Sequence, residues 1–565
     1  MRYMERLTLF ALIALLAPLA PAFAQDASVF PLPADLYILT SEHRVLRIDA
    51  TSGGQTPVSP EGQPVAAFQI APGGGWYAYR TLDNQAVIVA SLTTMSGFVV
   101  AFGQPLPEGA GGQSIAWSPQ GTRLAYTVPE GVRVAELSSF GTGQTVTTLV
   151  EGGPWAGVYW ADASTVIATD PAGASARISA GPEAWRVEAI ASAPERTTPV
   201  EASLTPEGVQ LADGRLVPGT AGALAFDWGP LPLPALPEGI LPVDLFFVAA
   251  DEAGVAQVWA LPMSGEPARA VTSSSRAVVD YALAAGRLAY VTETELVIAA
   301  LNGSGSQPLA ALLSGRVRPS VGINADASQI AFSDDRGLWT VPADGSQPPR
   351  LIVQNALAED PATLRVYMQP EWSSDETKLL VRVGLYEGAL LGVVEVATGA
   401  VTELPVAAHR GQWTVDGRVA ASSAAIGYST PGLYLIDPAA PEAGPVTLLD
   451  AETPVYDARQ QADGTWSVIV GEGAGLGPQW MRLLRSSAAR GIAPAFGAET
   501  GAFLEEPALA PAAGLDTLPT LAAGLRNITY APDGVWGEPV IADLSSGETW
   551  SVPAPGPVSR LMWAR

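Results

Sequence analysis

Along almost the whole chain, short runs of alternating apolar and polar residues are separated by clusters of Gly, Pro, Asp and Ser. The period is that of strands, not of helices. Ala116-Trp-Ser-Pro-Gln-Gly-Thr-Arg-Leu-Ala-Tyr126 shows the unit most clearly: an apolar run ending on an aromatic residue, a turn, and a second apolar run. Proline supplies a fixed φ and glycine tolerates a positive one, so such a turn joins two antiparallel strands. Degenerate copies can be laid out on the residue standing where Trp117 stands: Ile70, Trp117, Trp160, Leu204, Tyr281, Ile323, Trp372, Trp413, roughly Gln460, and Tyr530.

Several intervals are regular, at 47, 43 and 44 residues from Ile70 to Leu204 and 42, 49 and 41 from Tyr281 to Trp413. After the first hairpin come segments such as Gly337-Leu-Trp-Thr-Val-Pro-Ala-Asp-Gly345 and Gly432-Leu-Tyr-Leu-Ile-Asp-Pro438, which read as an outer pair of strands. A period in the forties with four short strands is that of a β-propeller blade, whereas helical repeats mostly run shorter. The expected fold is all-β, a β-propeller of about ten or more four-stranded blades.

About ten anchors exceed the four to eight blades that usually close one ring, so two consecutive propellers are expected. The seam lies in Trp228-Gly-Pro-Leu-Pro-Leu-Pro-Ala-Leu-Pro-Glu-Gly-Ile-Leu-Pro242, whose alternating prolines suggest an extended connector rather than a strand. Asp244-Leu-Phe-Phe-Val-Ala249 after it resembles Asp35-Leu-Tyr-Ile-Leu39, and both read as ring starts. The expected division is 1–24 as signal peptide, 25–240 as the first propeller or the first part of one large propeller, and 241–565 as the second. A single irregular ring with a long insertion is the alternative, because 77 residues separate Leu204 from Tyr281. From about Gly491 to Leu525 the alternation fades, and the segment reads as a loop, a degraded blade or a small helix.

The N-terminus carries Arg2 and Arg6, an apolar run from Leu9 to Ala17, and Ala22-Phe-Ala24 as a small-residue cleavage site, the three parts of a secretory signal. Pro18 and Pro21 interrupt the run before it could span a bilayer, so the mature chain is expected to begin at Gln25, exported and soluble, in the periplasm or outside the cell. The chain has no cysteine, which removes disulfides, thiolate metal sites, a cysteine nucleophile and lipoprotein anchoring together. With 56 acidic against 30 basic residues the net charge is −26, and loss of Arg2, Glu5 and Arg6 leaves −27. Such a field repels phosphate, so nucleic acid is not an expected partner, and no membrane insertion is expected once the signal is removed.

Trp117-Ser-Pro-Gln-Gly, Trp372-Ser-Ser-Asp-Glu and Tyr530-Ala-Pro-Asp-Gly resemble the aromatic-Ser-Pro-Asp-Gly pattern of the bacterial TolB family, and of the propellers that precede catalytic domains in prolyl-oligopeptidase-like peptidases. Thr205-Pro-Glu-Gly208 and Asn324-Ala-Asp-Ala-Ser328 match it less well. The resemblance implies a propeller, which does not imply an activity. If it extends to role, the partner is another envelope protein, although no N-terminal α/β domain of the TolB kind is seen.

Candidate chemistry is sparse. His43 and His409 are the only histidines, neither follows a nucleophile elbow, and Gly427-Tyr-Ser-Thr-Pro-Gly432 is one residue too long to be one. Ser333-Asp-Asp-Arg-Gly337 and Asn324-Ala-Asp326 are oxygen-rich turns without the spacing of a calcium loop. Asp543-Leu-Ser-Ser-Gly-Glu-Thr-Trp550 resembles an Asp-box with Ser545 at an acidic position. Asn302-Gly-Ser304 and Asn527-Ile-Thr529 match the glycosylation sequon. No residue is assigned a catalytic, metal or cofactor-binding role, and no cofactor is expected. The expected function is a non-catalytic, exported protein-binding or scaffolding module, with another envelope or secreted protein as partner. The alternative is a carbohydrate-active or glycan-binding propeller.

Overall fold

The computed structural model describes residues 30–564 except 73, 93–96, 108–109, 111–112, 120, 122, 137–145, 163, 180–184, 195–199, 358–360, 387, 409, 424–429, 450–454, 462–463, 472–480, 487–502, 506–515, 519, 532–533, 544–545 and 547. Its strands form in the way the alternation requires. Strand Arg123–Val128 is buried at every position after the first, because a blade is covered on both faces by its neighbours. The turn before it is held by Gly121, whose φ of 70° suits glycine, and by the Ser118 hydroxyl, which accepts the Arg123 N–H at 3.0 Å.

Among the described residues the sheets form two closed circuits. The first has sheets opening at Val65–Ile70, Ile115–Trp117, Gly157–Asp162 and Ala202–Thr205, and it closes where Ala225–Trp228 pairs antiparallel with Leu36–Leu39, Leu36 opposite Trp228. The second has sheets opening at Val278–Ala284, Ser320–Ile323, Val366–Trp372, Arg410–Trp413, Val455–Gln460 and Asp516–Thr517, and it closes where Val558–Trp563 pairs with Leu245–Ala250. The chain is therefore all-β, with consecutive propellers whose closing sheets each combine an early and a late strand. Both stretches read as ring starts occupy those closures.

The core is distributed between blades. One apolar layer joins Ala125, Val132 and Val134 to Trp160, Val166 and Ile178 of the next sheet. Another joins Leu245, Phe247 and Trp563 to Leu521, Ile541 and Trp550. Each large side chain buried in such a layer contributes about 2 kcal/mol by removal from water.

Three details depart from the sequence reading. The unit after Leu204 has two strands, Ala202–Thr205 and Gly208–Leu211, instead of four. Its outer edge is closed by a turn, with the Val217 N–H bonded to the Val209 carbonyl. Tyr530 does not end an innermost strand: it lies in Leu521–Ala531 opposite Val535, so its turn joins the second and third strands of that blade, whose inner strand is Asp516–Thr517. Last, the proline-rich connector is extended but pairs with a sheet: Ala235 bridges Ser551 in parallel, and Ser551 N–H donates to the Pro234 carbonyl at 2.9 Å. The fading segment near Gly491 falls largely outside the described residues, apart from Phe503–Glu505 and the strands from Asp516 onward. Among the described residues no helix is long and apolar enough to cross a membrane.

Candidate functional site

The innermost strands stand side by side around each ring, and one edge of each has no partner strand. Its N–H groups need other acceptors. They receive them from the neighbouring blade. The N–H of Ile70 donates to Asp227 Oδ2 (2.8 Å), that of Val321 to Asp280 Oδ2 (3.1 Å), that of Trp413 to Glu371 Oε1 (3.2 Å), and those of Trp117 and Trp563 to Gln69 and Asp516. The anchor tryptophans return the contact. Indole Nε1 of Trp117, Trp160, Trp372, Trp413 and Trp563 donates to the backbone carbonyl of Gln69, Ala116, Gly322, Glu371 and Asp516, at 2.8–3.3 Å.

In the second ring these acceptors share the innermost strands with arginines. Arg560 Nη1 lies 2.6 Å from Asp280, which is buried, and Arg410 Nη1 and Arg459 Nε lie 3.5 and 3.9 Å from Asp457. Burial pushes the Asp280 carboxyl above the usual range, against the opposing pull of Arg560 and two N–H donors. Burial alone would push the Arg459 guanidinium down, but Asp457, Asp516 and Glu371 together hold it above its ordinary value. Those three acids come from three different sheets, so the charges converge on the axis of the ring.

The first ring holds a different feature at its axis. A cavity of about 140 Å³ is lined by Phe68, Gln69, Gln113, Leu204, Phe226 and Asp227, among others, from four sheets. It combines aromatic and aliphatic walls with two amides and one carboxylate.

The residues singled out in the sequence serve turns. His43, at φ 60°, sits in the hairpin after Leu39 with Nδ1 3.0 Å from the Val65 carbonyl oxygen, and His409 lies outside the described residues. Asn324 Nδ2 donates to Asp326 Oδ1 (2.8 Å) and to Glu376 Oε2 (2.9 Å). Asp334 accepts from Leu313 N–H, Trp339 Nε1 and Arg336, and Asp335 from the Arg316 and Val317 N–H groups. Their lone pairs are occupied by N–H donors, and among the described residues no group of three or more His, Asp or Glu could hold a metal ion. The Asp543–Trp550 turn is closed by a bond from Asp543 N–H to the Glu548 carbonyl, with 544–545 and 547 outside the described residues. Residues 427–429 of the Gly427–Gly432 motif are also outside them, as is the side chain of Asn527, while Asn302 is exposed.

Sequence reasoning missed the residue before several of the anchors and before Trp228. Gln69-Ile70, Asp227-Trp228, Asp280-Tyr281, Glu371-Trp372 and Gln412-Trp413 form a column of acids and amides that is readable once the anchors are aligned. It also missed Trp228 and Trp563, the buried closing anchors of the two circuits.

No protein-family model and no curated protein matches the chain. Among solved structures, tricorn protease is 10% identical, with 94% of this chain and 63% of that chain covered and a TM-score of 0.32. PorZ, a surface component of the type-IX secretion system of Porphyromonas gingivalis, is 10% identical with 91% and 73% covered and a TM-score of 0.32. A putative TolB from Agrobacterium tumefaciens is 10% identical with 66% and 88% covered and a TM-score of 0.22. The chain thus spans less than two thirds of the tricorn protease chain.

Proposed function

We propose that this chain is an exported, non-catalytic pair of propellers, 25–240 and 241–565, that binds another protein of the cell envelope or extracellular space. One observation carries the reading: acids and arginines from separate sheets meet at the axis of the second ring, and the acids are fixed there by backbone N–H groups. A charge pattern held rigid in this way suits recognition, since complementary charges fix register and reject wrong partners. The test is affinity capture with the mature chain from Gln25 against envelope and secreted fractions. A reproducible protein partner, lost on Asp457→Asn or Arg459→Gln substitution in a folded variant, is the expected result.

A second reading, a glycan-binding or carbohydrate-active propeller, rests on the first-ring cavity, where Phe68 and Phe226 stand beside Gln69, Gln113 and Asp227. A glycan array on the same sample separates the two. Specific glycan binding abolished by Gln113→Ala would favour this reading over the first.

A further inference from the structure

The first-ring cavity is built by innermost strands, so the bonds that hold neighbouring blades together also fix its walls. Phe68 and Gln69 come from strand Val65–Ile70, Leu204 from Ala202–Thr205, Phe226 and Asp227 from Ala225–Trp228, and Gln113 stands just before Ile115–Trp117. Gln113 is anchored through its backbone, whose carbonyl accepts the Val158 N–H at 2.9 Å. Asp227 accepts the Ile70 N–H, and Gln69 Oε1 accepts the Trp117 N–H.

That last bond decides the chemistry of the cavity. Because the Gln69 oxygen takes a backbone N–H, its Nε2 faces away from that group, and among the described residues Nε2 has no acceptor. The exposed Gln113 amide has no partner among them either. A waiting donor beside a carboxylate counts against both signs of charge. An anion would meet Asp227, and a cation offers nothing to Gln69 Nε2. The ligand class left is neutral and carries an oxygen acceptor.

Size and rim narrow the class further. A cavity of about 150 Å³ holds one benzene molecule, so one of about 140 Å³ admits a single six-membered ring and not a longer ligand. Leu204 and Leu224, large apolar side chains left exposed in the first ring, both line it, and Ile115, Phe68 and Phe226 add further apolar wall. A sugar residue carries hydroxyls around its whole edge and would set several of them against these walls without partners. A phenol lays a flat apolar ring there and has one oxygen to satisfy.

We propose that the first-ring cavity receives one tyrosine side chain of the protein partner, with its ring among Phe68, Leu204, Leu224 and Phe226 and its hydroxyl accepting from Gln69 Nε2. Aromatic side chains that fill such pockets dominate the binding energy of many interfaces. The preference for a phenol stands on the cavity, while its carrier rests on the protein-binding reading.

The probes are N-acetyl-tyrosinamide, N-acetyl-phenylalaninamide and methyl glucoside, titrated into the full mature chain by saturation-transfer NMR, with melting of each variant followed in parallel. Tyrosinamide should saturate and bind about fivefold tighter than phenylalaninamide, the share of one hydrogen bond, and both should bind tighter than the glucoside. Gln69→Met removes the donor and should bring the two aromatic probes to nearly equal affinity. Leu224→Asp, at the exposed rim, should melt with the wild type and weaken both aromatic probes. No saturable binding of tyrosinamide, equal binding of phenylalaninamide to the wild type, or unchanged affinity in Leu224→Asp would overturn the pocket. Tighter binding of the glucoside would overturn it in favour of a glycan. Capture of a partner that is lost on Asp457→Asn substitution and undiminished by Leu224→Asp would overturn the inference and leave the proposed function intact. Tyrosinamide binding with no protein captured would overturn the protein carrier while the pocket stands.

Discussion

Trp563 and Asp516 hold each other twice: the Trp563 indole donates to the Asp516 backbone carbonyl at 2.8 Å, and the Asp516 carboxylate accepts the Trp563 backbone N–H. The pair joins the last strand of the chain to the innermost strand of the preceding blade. The same last strand pairs with Leu245–Ala250, so one residue near the C-terminus ties together the beginning and end of the second circuit.

Trp563→Phe keeps most of the ring and removes the indole donor, leaving the Asp516 carbonyl without that partner, at an expected cost of about 1–2 kcal/mol. Trp563→Ala also opens a cavity in the apolar layer of Phe247, Ile541 and Trp550 and is expected to cost about 3–5 kcal/mol. Urea unfolding followed by circular dichroism measures both. Equal midpoints for Trp563→Phe and wild type would mean that the indole bond contributes nothing.

Arg80 is fully buried, and among the described residues no carboxylate pairs with it. It donates to the carbonyls of Thr127 (2.7 Å), Gln104 (2.5 Å) and Pro105 (3.1 Å), and its guanidinium stands 5.9 Å from the centre of the Tyr126 ring. Burial pushes it down to about 10, against a smaller upward pull from Tyr126. It staples the loop after Ala101 to the next blade, so Arg80→Ala strands three carbonyls at an expected cost of about 3 kcal/mol. Arg80→Lys should recover only part of this, since one ammonium cannot span the fork. Hydrogen exchange of the segment around Gln104 should rise in both variants, and an unchanged rate would dismiss the staple.

The connector is held at both ends: the Gly229 N–H bonds to the Asp35 carbonyl, and Leu236 packs on the second-ring layer while its N–H bonds to Ser551. Glu238, exposed beside this strap, offers a glutamate-specific protease one cut between the rings. Cleavage there is expected to be slow in the native chain and several-fold faster in Leu236→Asp, which introduces a charge into the apolar contact. Equal rates, read by gel electrophoresis over time, would mean that the strap is already free.

How far the sequence could be read follows from which interactions leave a local pattern. Strand alternation and the Ser118–Gly121 turn are local, so the repeat, the all-β class and the ring starts at Asp35 and Asp244 were legible. The unit after Leu204 looked like a full blade because its first hairpin carries the motif, whereas closure of its edge by the Val217 N–H has no motif. Tyr530 carried the anchor signature on the wrong hairpin, since Tyr-Ala-Pro-Asp-Gly specifies a turn and not its place in a blade. The axial charges were hidden more deeply. Asp280, Glu371, Asp457 and Asp516 are isolated carboxylates in sequence, and only ring closure brings Glu371, Asp457 and Asp516 to bear on Arg459.

Asp334 gives the pH dependence a definite sign. Burial pushes its carboxyl up, but hydrogen bonds from Arg336, the Leu313 N–H and Trp339 outweigh this and hold it below the usual range. An unfolded aspartate titrates at about 3.9, so this contribution is fully present above that value and is lost as pH falls through the lower folded value. Arg336, which also lies 4.7 Å from the centre of the Trp339 ring, is half-exposed, and water weakens its share of the pairing. Asp334→Asn keeps an acceptor oxygen and loses the charge, so the expected cost at pH 7 is about 1–2 kcal/mol. The wild-type and variant curves of stability against pH should begin to approach each other below the unfolded value and converge as pH falls through the lower folded value, where the wild-type carboxylate also becomes neutral. Urea midpoints between pH 7 and pH 2 measure this convergence. A gap of constant size throughout would assign the cost of the substitution to lost packing and not to the charge of Asp334.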